Sequence, residues 1–436
     1  MKVLVQRDSF IERILGSQKE RRETEYRFLT YCVRTQVTEG ELIYNVLTKE
    51  LLLVSPGEDC EAYLKEHWFK VPKDHDDQKL ALELRSFVCM LSEQTEEIFD
   101  YTILTTTECN ARCFYCYEKN KMQSRMSPET AEKVLAFIRA HSDRKVNINW
   151  FGGEPLYNSD VIDRISEGLQ DREYRSTMVT NGYLFSRAVI EKAVSLWHLE
   201  EVQITLDGTE DVYNTRKAYI YKDAESPFRR VIDNMEGLLK HGVHVHIRLN
   251  IDRTNYSDMC RLVDFLEQKF SGYPNCTVYS SVLYQCLLDD EVQKKHIEIE
   301  KRLRQAGLGE TRTLFHTTIK YHQCQADSNH CILITPEGHL GKCEHAYDTD
   351  LCGTVEDGVI CRQKADLWKK YLPSEASCRS CPVFPNCVRI ARCELFRYQN
   401  GLCTDIQRRK RVKDVEISMK NTWAAIRSGK TEILMA

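Results

Sequence analysis

Three cysteines stand close together in the segment from Tyr101 to Lys119: Cys109, Cys113 and Cys116. Their spacing is C-x3-C-x2-C, and the sequence around them offers no fourth cysteine or histidine. A structural zinc site uses four ligands in a closed tetrahedron, whereas three thiolates suit a [4Fe–4S] cubane with one iron left open for a small molecule. The alternative is that these thiols are simply buried, because free cysteine is common in protein cores.

A second set of cysteines lies between positions 324 and 403. Its members are Cys324, Cys331, Cys343, Cys378, Cys381, Cys387, Cys393 and Cys403. Eight thiolates are the right number for two fully ligated [4Fe–4S] cubanes, but they would equally suit two zinc sites of four thiolates each. The remaining eight of the 19 cysteines are interpreted as buried apolar residues.

Composition limits the class of protein. The net charge of −4 gives no long-range attraction toward nucleic acid or an anionic membrane surface. No apolar run approaches the roughly 20 residues of a membrane span, and the N-terminus lacks the apolar core of a secretory signal. We therefore expect a soluble, cytoplasmic protein that binds neither nucleic acid nor membrane, with its cysteines used for metal or cluster ligation rather than disulfides.

The elements that position the first three cysteines alternate regularly between strand and helix. The sequence predicts strands at Tyr101–Thr105, Val146–Trp150, Ser176–Thr180, Val202–Leu206, Val243–Ile251 and Cys276–Val282. It predicts helices near 127–142, 159–171, 186–197, 226–241 and 256–270. This alternation is typical of an α/β fold with a parallel sheet, in which chemistry takes place at the carboxyl ends of the strands.

Polar motifs follow several of these strands. The second strand ends in the glycine pair Gly152-Gly153, followed by Glu154, and a glycine pair lets the backbone approach a ligand closely. The third strand ends in Thr180 and Asn181. Asp207 follows the fourth strand, with Arg216 shortly after it, and the fifth strand carries Arg248 and Asn250 on one side.

The segment ECNARCFYCY, with Tyr115 before the third cysteine, resembles the signature of radical S-adenosylmethionine (SAM) enzymes. The resemblance implies a partial (β/α)6 barrel over residues 99–310. It also implies that the open iron binds the amino and carboxylate groups of SAM, which is cleaved after reduction by a donor such as flavodoxin or ferredoxin.

The same resemblance implies a SAM contact for each barrel motif. The glycine pair and Glu154 are expected at the SAM amino group, and Thr180 and Asn181 near the ribose. Arg216 is expected to pair with the SAM carboxylate, a contact that suits guanidinium geometry. Tyr115 and Asp207 complete the expected set of cofactor contacts.

The second cysteine set resembles the SPASM auxiliary-cluster domain, which we place at 311–405. The resemblance implies that auxiliary cluster I takes Cys324, Cys331, Cys343 and Cys393, and that auxiliary cluster II takes Cys378, Cys381, Cys387 and Cys403. The usual C-x3-C spacing is C-x5-C between Cys387 and Cys393, so Cys352 or an open position is the alternative fourth ligand. Glu344 stands where sulfatase-maturating relatives carry a carboxylate base, with His345 as its neighbouring alternative.

Residues 1–98 are predicted to form a small domain with a hairpin over 41–55 and helices near 57–68 and 76–94, preceded by a charged helix or arm. It resembles the winged-helix-like domains that bind the leader of a precursor peptide by adding a strand to a sheet edge. A cap that only shields the barrel is the alternative. Residues 406–436 are predicted to form a helical tail.

The resemblances together favour a radical SAM peptide maturase with three [4Fe–4S] clusters. Such an enzyme would install a thioether or carbon–carbon cross-link in a ribosomal precursor peptide. The alternatives are an anaerobic sulfatase-maturating enzyme that makes formylglycine from Cys or Ser, and a non-catalytic zinc or iron–sulfur scaffold.

Overall fold

The structure is a computed structural model that describes most of the chain. The described residues are 1–18, 25–92, 97–119, 121–221, 225–315, 324–370, 378, 380–387, 390–393 and 403–429. They form an N-terminal antiparallel sheet, a central parallel sheet flanked by helices, and a cysteine-rich region that extends the central sheet.

The N-terminal residues build two small antiparallel sheets. The larger sheet has the order β1–β5–β4–β3, and its strands are β1 (Lys2–Val5), β3 (Cys32–Val37), β4 (Gly40–Asn45) and β5 (Leu51–Val54). The smaller sheet pairs β2 (Tyr26–Phe28) with β6 (Lys70–Pro72). The helices are α1 (Ser9–Leu15), α2 (Glu61–Glu66) and α3 (Asp77–Ser92).

The predicted hairpin is confirmed, since β4 and β5 pair antiparallel with Glu41 opposite Val54. Both helices predicted for this region also form. Residues 1–25 were expected to be a charged helix or arm, and the described residues 1–18 contain helix α1 but also strand β1, which was not predicted. β1 pairs with β5, a strand distant in sequence, and such long-range pairing leaves no local signal.

The central sheet contains six parallel strands that neighbour one another in chain order. They are β7 (Asp100–Thr106), β8 (Lys145–Gly152), β9 (Glu173–Thr180), β10 (Leu199–Leu206), β11 (His244–Ile251) and β12 (Cys276–Val282). The helices between them are α4 (Pro128–His141), α5 (Ser159–Glu167), α6 (Arg187–Ser195), α7 (Glu210–Lys217), α8 (Pro227–Lys240) and α9 (Tyr256–Phe270). Helix α10 (Asp290–Gln305) follows β12.

All six predicted strands and all five predicted helices of this region are confirmed. Helices α7 and α10 were not predicted. At least half of the residues in their sequences, EDVYNTRK and DEVQKKHIEIEKRLRQ, are charged, so the apolar stripe that identifies a helix is short in both.

Alternation along each parallel strand separates a core face from a polar face. On β11, Val245, Ile247 and Leu249 are fully buried in the hydrophobic core. Arg248 and Asn250 point to the other side, because successive side chains of a strand alternate. The polar side chains of neighbouring strands therefore share one face.

The cysteine-rich region continues the same sheet beyond β7. Strand β13 (Cys331–Ile334) pairs parallel with β7, placing Cys331 opposite Asp100. Strands β14 (His339–Gly341), β15 (Gly353–Thr354) and β16 (Val359–Ile360) then follow in antiparallel order, and α11 is the short helix Arg362–Ala365. The second cysteine set thus begins beside the strand that leads into the first.

The C-terminal helix α12 (Asp405–Arg427) packs onto the N-terminal sheet. It begins at a capping box, in which Thr404 and Gln407 each satisfy the other's backbone amide. Met419 is fully buried among apolar residues of the N-terminal sheet, including Leu29 and Leu42. The predicted helical tail therefore completes the N-terminal core. Among the described helices, none is long and apolar enough to cross a membrane.

We expect Met419→Ala to lower the free energy of unfolding by about 2–4 kcal/mol, because it removes a fully buried side chain and leaves a cavity. Urea denaturation followed by tryptophan fluorescence measures this loss. Lys420→Ala, on the exposed side of the same helix, is the matched control and should change stability by less than about 0.5 kcal/mol. Equal effects of the two substitutions would contradict the packing of α12.

Candidate functional site

A cavity of about 1010 Å³ opens at the carboxyl ends of the parallel strands. Strands β8 to β12 each contribute a small or polar residue to its wall: Gly152, Thr180, Thr205, Asn250 and Ser281. Two buried polar atoms in this wall, Arg248 Nε and Asn250 Oδ1, have no hydrogen-bond partner within the described structure. Buried polar groups are normally satisfied, so these two atoms indicate that the cavity accepts a polar ligand.

The three cysteines of the first motif all line this cavity. Their loop is fixed by backbone hydrogen bonds, in which Arg112 N–H donates to the Lys217 carbonyl (2.8 Å) and Thr107 N–H to that of Ser124 (2.8 Å). Burial, then the nearby carboxylate of Glu154, raises the pKa of Cys109 to about 12. A thiol of this kind becomes a thiolate ligand when a cation compensates for its deprotonation, as iron does in a cluster.

No three or more His, Cys, Asp or Glu side chains of the described residues converge closely enough to hold a single metal ion. The ligands of a cubane bind separate irons at its corners and therefore stand farther apart than the ligands of one zinc ion. The donor set of three thiols at one cavity wall fits a [4Fe–4S] cluster with one open corner.

The glycine pair is packed directly under the cysteine loop. A Cβ atom on Gly152 would lie 2.1 Å from the carbonyl oxygen of Thr106, and one on Gly153 would lie 2.4 Å from that of Glu108. Gly152 also has a φ of +135°, which favours glycine. Gly153 N–H donates to the Thr106 carbonyl (2.9 Å). Both glycines line the cavity, so they serve loop packing and ligand access together.

Glu154 is fully buried and connects the cysteine loop with the segment that contains Thr180 and Asn181. Its carboxylate accepts hydrogen bonds from the Thr180 hydroxyl (2.8 Å) and from Asn181 N–H (2.8 Å). Burial raises the pKa of Glu154 to about 7, although these hydrogen bonds oppose the shift. The structure therefore uses the Glu154 carboxylate as a brace, while Thr180 and Asn181 themselves face the cavity.

Asn181 lies beside the first cysteine. Its side-chain amide donates to Asn110 Oδ1 (2.6 Å) and lies 3.9 Å from Cys109 Sγ. The fold thus places Thr180 and Asn181 close to the cysteine loop, as the sequence motifs predicted.

Tyr115 and Asp207, both predicted cofactor contacts, hydrogen-bond to each other. The Tyr115 hydroxyl donates to Asp207 (2.7 Å), and Lys217 forms an ion pair with the same carboxylate (3.1 Å). Burial acts to lower the pKa of Lys217, but Asp207 and then Tyr115 outweigh it, so the pKa stands well above its ordinary value. Lys217 lines the cavity as a positive charge next to the cysteine loop.

Arg216 is held away from the cavity wall. Its guanidinium pairs with Asp252 (2.6 Å), donates to the Thr254 hydroxyl (3.1 Å) and lies over the ring of Phe114 at 4.8 Å. The predicted pairing of Arg216 with a bound carboxylate would require this ion pair to open. Lys217, the next residue, does reach the cavity, and its position beside Arg216 in the same motif was the signal available in the sequence.

The second cysteine set divides in space. Cys324, Cys343 and Cys393 line the same large cavity, and the charges of Cys324 and Cys393 contribute to raising the pKa of Cys343, after burial and Glu344. Glu344 also faces the cavity and accepts a hydrogen bond from the Gln325 side chain (2.7 Å).

Cys331 and Cys352 lie apart from that group. Cys331 Sγ is 3.7 Å from Asp100, and Lys342 donates to the Cys331 carbonyl (2.6 Å). Cys352 is buried, with Lys342 and Cys361 among its neighbours.

The remaining cysteines of the second set lie near the N-terminal sheet and helix α12. Cys378 and Cys387 both act electrostatically on Cys381, and Arg411 of α12 donates to Cys387 Sγ (3.3 Å). Cys403 lies at the start of α12, where its thiol donates to the Thr404 carbonyl (3.7 Å).

The sequence analysis did not identify His296 and Lys410, which face the cavity from α10 and α12. Neither residue belongs to a motif, and both helices are highly charged, so no local signal distinguishes these side chains.

Comparison with known proteins agrees with this geometry. Residues 103–266 match the family model of the Radical SAM superfamily. A radical SAM cyclopropyl synthase, TigE of Paramaledivibacter caminithermalis, is 24% identical over 196 residues, 40% of each chain. The GTP 3′,8-cyclase of Clostridium perfringens is 24% identical over 317 residues, 65% of this chain and 92% of its own. The chain spans about two fifths of the first curated relatives it matches.

Solved structures share the fold. SuiB of Streptococcus suis aligns over 84% of this chain and 95% of its own, with a TM-score of 0.51 and 13% identity. Native anSMEcpe with bound AdoMet aligns over 72% of this chain and 98% of its own, with a TM-score of 0.51 and 15% identity. Residues 103–266 thus resemble a radical SAM domain, as the cysteine motif predicted, and SAM with one [4Fe–4S] cluster are the cofactors expected for such a domain.

We expect Gly153→Ala to weaken SAM binding and iron incorporation by about 10- to 100-fold, because the new Cβ displaces the backbone that begins the cysteine loop. Equilibrium dialysis with SAM and iron analysis after anaerobic reconstitution measure both effects. Gly272→Ala is the control, since a Cβ there meets nothing within 4 Å. Wild-type SAM affinity in Gly153→Ala would contradict the role given to this contact.

Lys217→Met should destabilise the fold by about 3–5 kcal/mol, because it leaves the fully buried Asp207 carboxylate unpaired. The double variant Asp207→Asn with Lys217→Met should recover part of this loss, since no buried charge is then left alone. Urea denaturation of the three proteins measures the coupling. Strictly additive losses would mean that the two residues act independently.

Proposed function

We propose that this radical SAM enzyme is a peptide maturase that installs an oxidative thioether or carbon–carbon cross-link in a ribosomally synthesised precursor peptide. One observation carries the proposal: a single cavity is lined both by Cys109, Cys113 and Cys116 and by three cysteines of the second set. A substrate in this cavity can lose a hydrogen atom on one side and an electron on the other.

When bound, SAM and the cluster of the first cysteine motif supply a 5′-deoxyadenosyl radical that removes a hydrogen atom from the substrate. The chain's own residues orient the cofactor and exclude water. The glycine pair gives close access at the end of β8, Asn181 offers polar contacts beside Cys109, and Lys217 offers a positive charge for a carboxylate.

The proposed SPASM domain, residues 311–405, would hold two auxiliary clusters that accept the electron. The contact of Cys393 with the cavity that Cys324 and Cys343 line supports Cys393 over Cys352 in auxiliary cluster I. Cys331 lies at Asp100 and Lys342, so its assignment to this cluster requires a local rearrangement on cluster binding. Cys378, Cys381, Cys387 and Cys403 remain the proposed ligands of auxiliary cluster II.

The N-terminal residues are proposed to bind the leader of the precursor. Strands β1 and β3 stand at the two ends of the described N-terminal sheet, and an extended peptide can add to such an edge through backbone hydrogen bonds. This sheet contacts the auxiliary region, since Lys49 donates to Asn386 (3.0 Å) and the ring of Tyr31 lies 6.1 Å from that of Phe384. Among the structures that share the fold, SuiB has been solved with its precursor peptide SuiA.

A second candidate is an anaerobic sulfatase-maturating enzyme. It is favoured by Glu344, whose carboxylate faces the cavity directly after Cys343, where a base for substrate oxidation would act. The two candidates differ in product, since a cross-link joins two residues while formylglycine carries an aldehyde on one. Mass spectrometry before and after aldehyde labelling separates them, using a candidate precursor peptide and a sulfatase peptide as substrates.

We expect Cys113→Ala to abolish 5′-deoxyadenosine formation from SAM, because the loop then keeps too few thiolates for its cluster. Cys260→Ala, a partly buried cysteine of α9, is the control and should retain wild-type activity. Wild-type protein purified without oxygen should contain about 12 iron atoms per chain, the number in three cubanes. Zinc without inorganic sulfide would instead support the non-catalytic scaffold and end the radical proposal.

A further inference from the structure

His296 of α10 lies in the wall between two cavities. With Ser280 and Lys410, it lines both the large cavity and a second one of about 310 Å³. The second cavity is lined by six charged residues of the described structure. These are Glu300, Arg304, Glu310, Arg312, Lys410 and Asp414. His296 is therefore placed to connect the site where substrate binds with a separate polar compartment.

The hydrogen bonds around His296 determine which of its ring nitrogens carries the proton. Glu300 Oε1 accepts from both Ser280 N–H (2.7 Å) and the Ser280 hydroxyl (2.5 Å), which commits the hydroxyl proton to Glu300. The Ser280 oxygen is then the acceptor for His296 Nδ1, 2.9 Å away. This arrangement requires the His296 tautomer with its proton on Nδ1, and leaves the lone pair on Nε2.

Burial and the nearby Lys410 charge favour the neutral His296 ring. Burial, followed by the Lys410 ammonium, lowers the pKa of His296 to about 4, while Glu300 and Asp414 act in the opposite direction. Lys410 is itself paired with Asp414 on α12 (3.0 Å), and Arg304 lies 3.8 Å from Glu300 on α10. At neutral pH His296 is therefore an unprotonated base that cannot keep a proton it receives, and it must pass one on.

We propose that Ser280, His296 and Glu300 form a proton relay that carries the proton lost by the oxidised substrate out of the large cavity. This inference rests on the proposed function. Cross-link formation removes two hydrogens from the peptide, one as a hydrogen atom taken by the 5′-deoxyadenosyl radical. The other leaves as an electron, accepted by an oxidised iron–sulfur cluster, and a proton.

In the relay the proton binds His296 Nε2 while the Nδ1 proton moves to Ser280 and the Ser280 hydroxyl proton moves to Glu300. Glu300 lies in the second cavity, so it can release the proton there. The charge that His296 would otherwise acquire next to Lys410 is avoided, because one proton leaves the ring as another arrives.

The test compares His296→Gln and Glu300→Gln with the wild-type enzyme, using a precursor peptide that the wild-type enzyme cross-links. Both variants should form 5′-deoxyadenosine within about twofold of the wild-type rate, but cross-linked product per deoxyadenosine should fall by about 100-fold. His246→Gln is the matched control, because His246 lines only the second cavity, bonds to Thr277 and should leave product unchanged. Undiminished product per deoxyadenosine in His296→Gln would overturn the relay.

A second measurement does not depend on the substrate. Nitrogen-15 NMR of histidine-labelled protein, with His296→Gln for assignment, should show a neutral ring protonated on Nδ1 at pH 7. A ring protonated on Nε2, or a charged ring, would overturn the relay whatever the activity. If the wild-type enzyme made no cross-link while the NMR result held, the hydrogen bonds of His296 would be confirmed. The proposed function would nevertheless fail, and the relay would fail with it.

Discussion

The structure depends on two places where backbone lies against backbone without room for a side chain. The carbonyl oxygens of Thr106 and Glu108 lie so close to Gly152 and Gly153 that a Cβ atom on either glycine would clash with them. Because both glycines accept this contact, the loop after β7 runs directly over the end of β8 and brings its cysteines to the cavity. Glu154 then joins that loop to the end of β9, since its backbone N–H donates to the Glu108 carbonyl and its carboxylate accepts from Thr180 and Asn181.

Buried charges fix the opposite side of the cysteine loop. Lys217 and Asp207 form an ion pair that is almost completely excluded from solvent, and the Tyr115 hydroxyl is the third member. A buried pair of this kind adds little net stability compared with apolar residues, but either charge alone would be very costly. The pair therefore specifies one arrangement of the loop after β10 against Tyr115, and Lys217 is the cation of this group that lines the cavity.

The sheet determines how the two cysteine sets meet. Strand β13 adds parallel to β7, so the chain enters the second set at the same edge where the first begins. Cys324 and Cys343, which flank this strand in the sequence, line the cavity, and Cys393 reaches it from the chain that follows. The C-terminal helix packs on the N-terminal sheet and contributes Lys410 to the cavity wall, so the last part of the chain contributes to the site.

The sequence by itself predicted the six strands and five of the helices of the central region, and it placed the cysteine and glycine motifs at the ends of those strands. The alternation of strand and helix, the C-x3-C-x2-C spacing and the glycine pair are local patterns, set by backbone geometry and by ligand type, and each was found where it was predicted. Arg216 shows the limit of such patterns, because a motif gives the residue but not its partner, and folding gave it Asp252. Only the tertiary structure decided which thiols share a cavity, which cation faces it and that His296 stands between two cavities, because these relations join residues far apart in the chain.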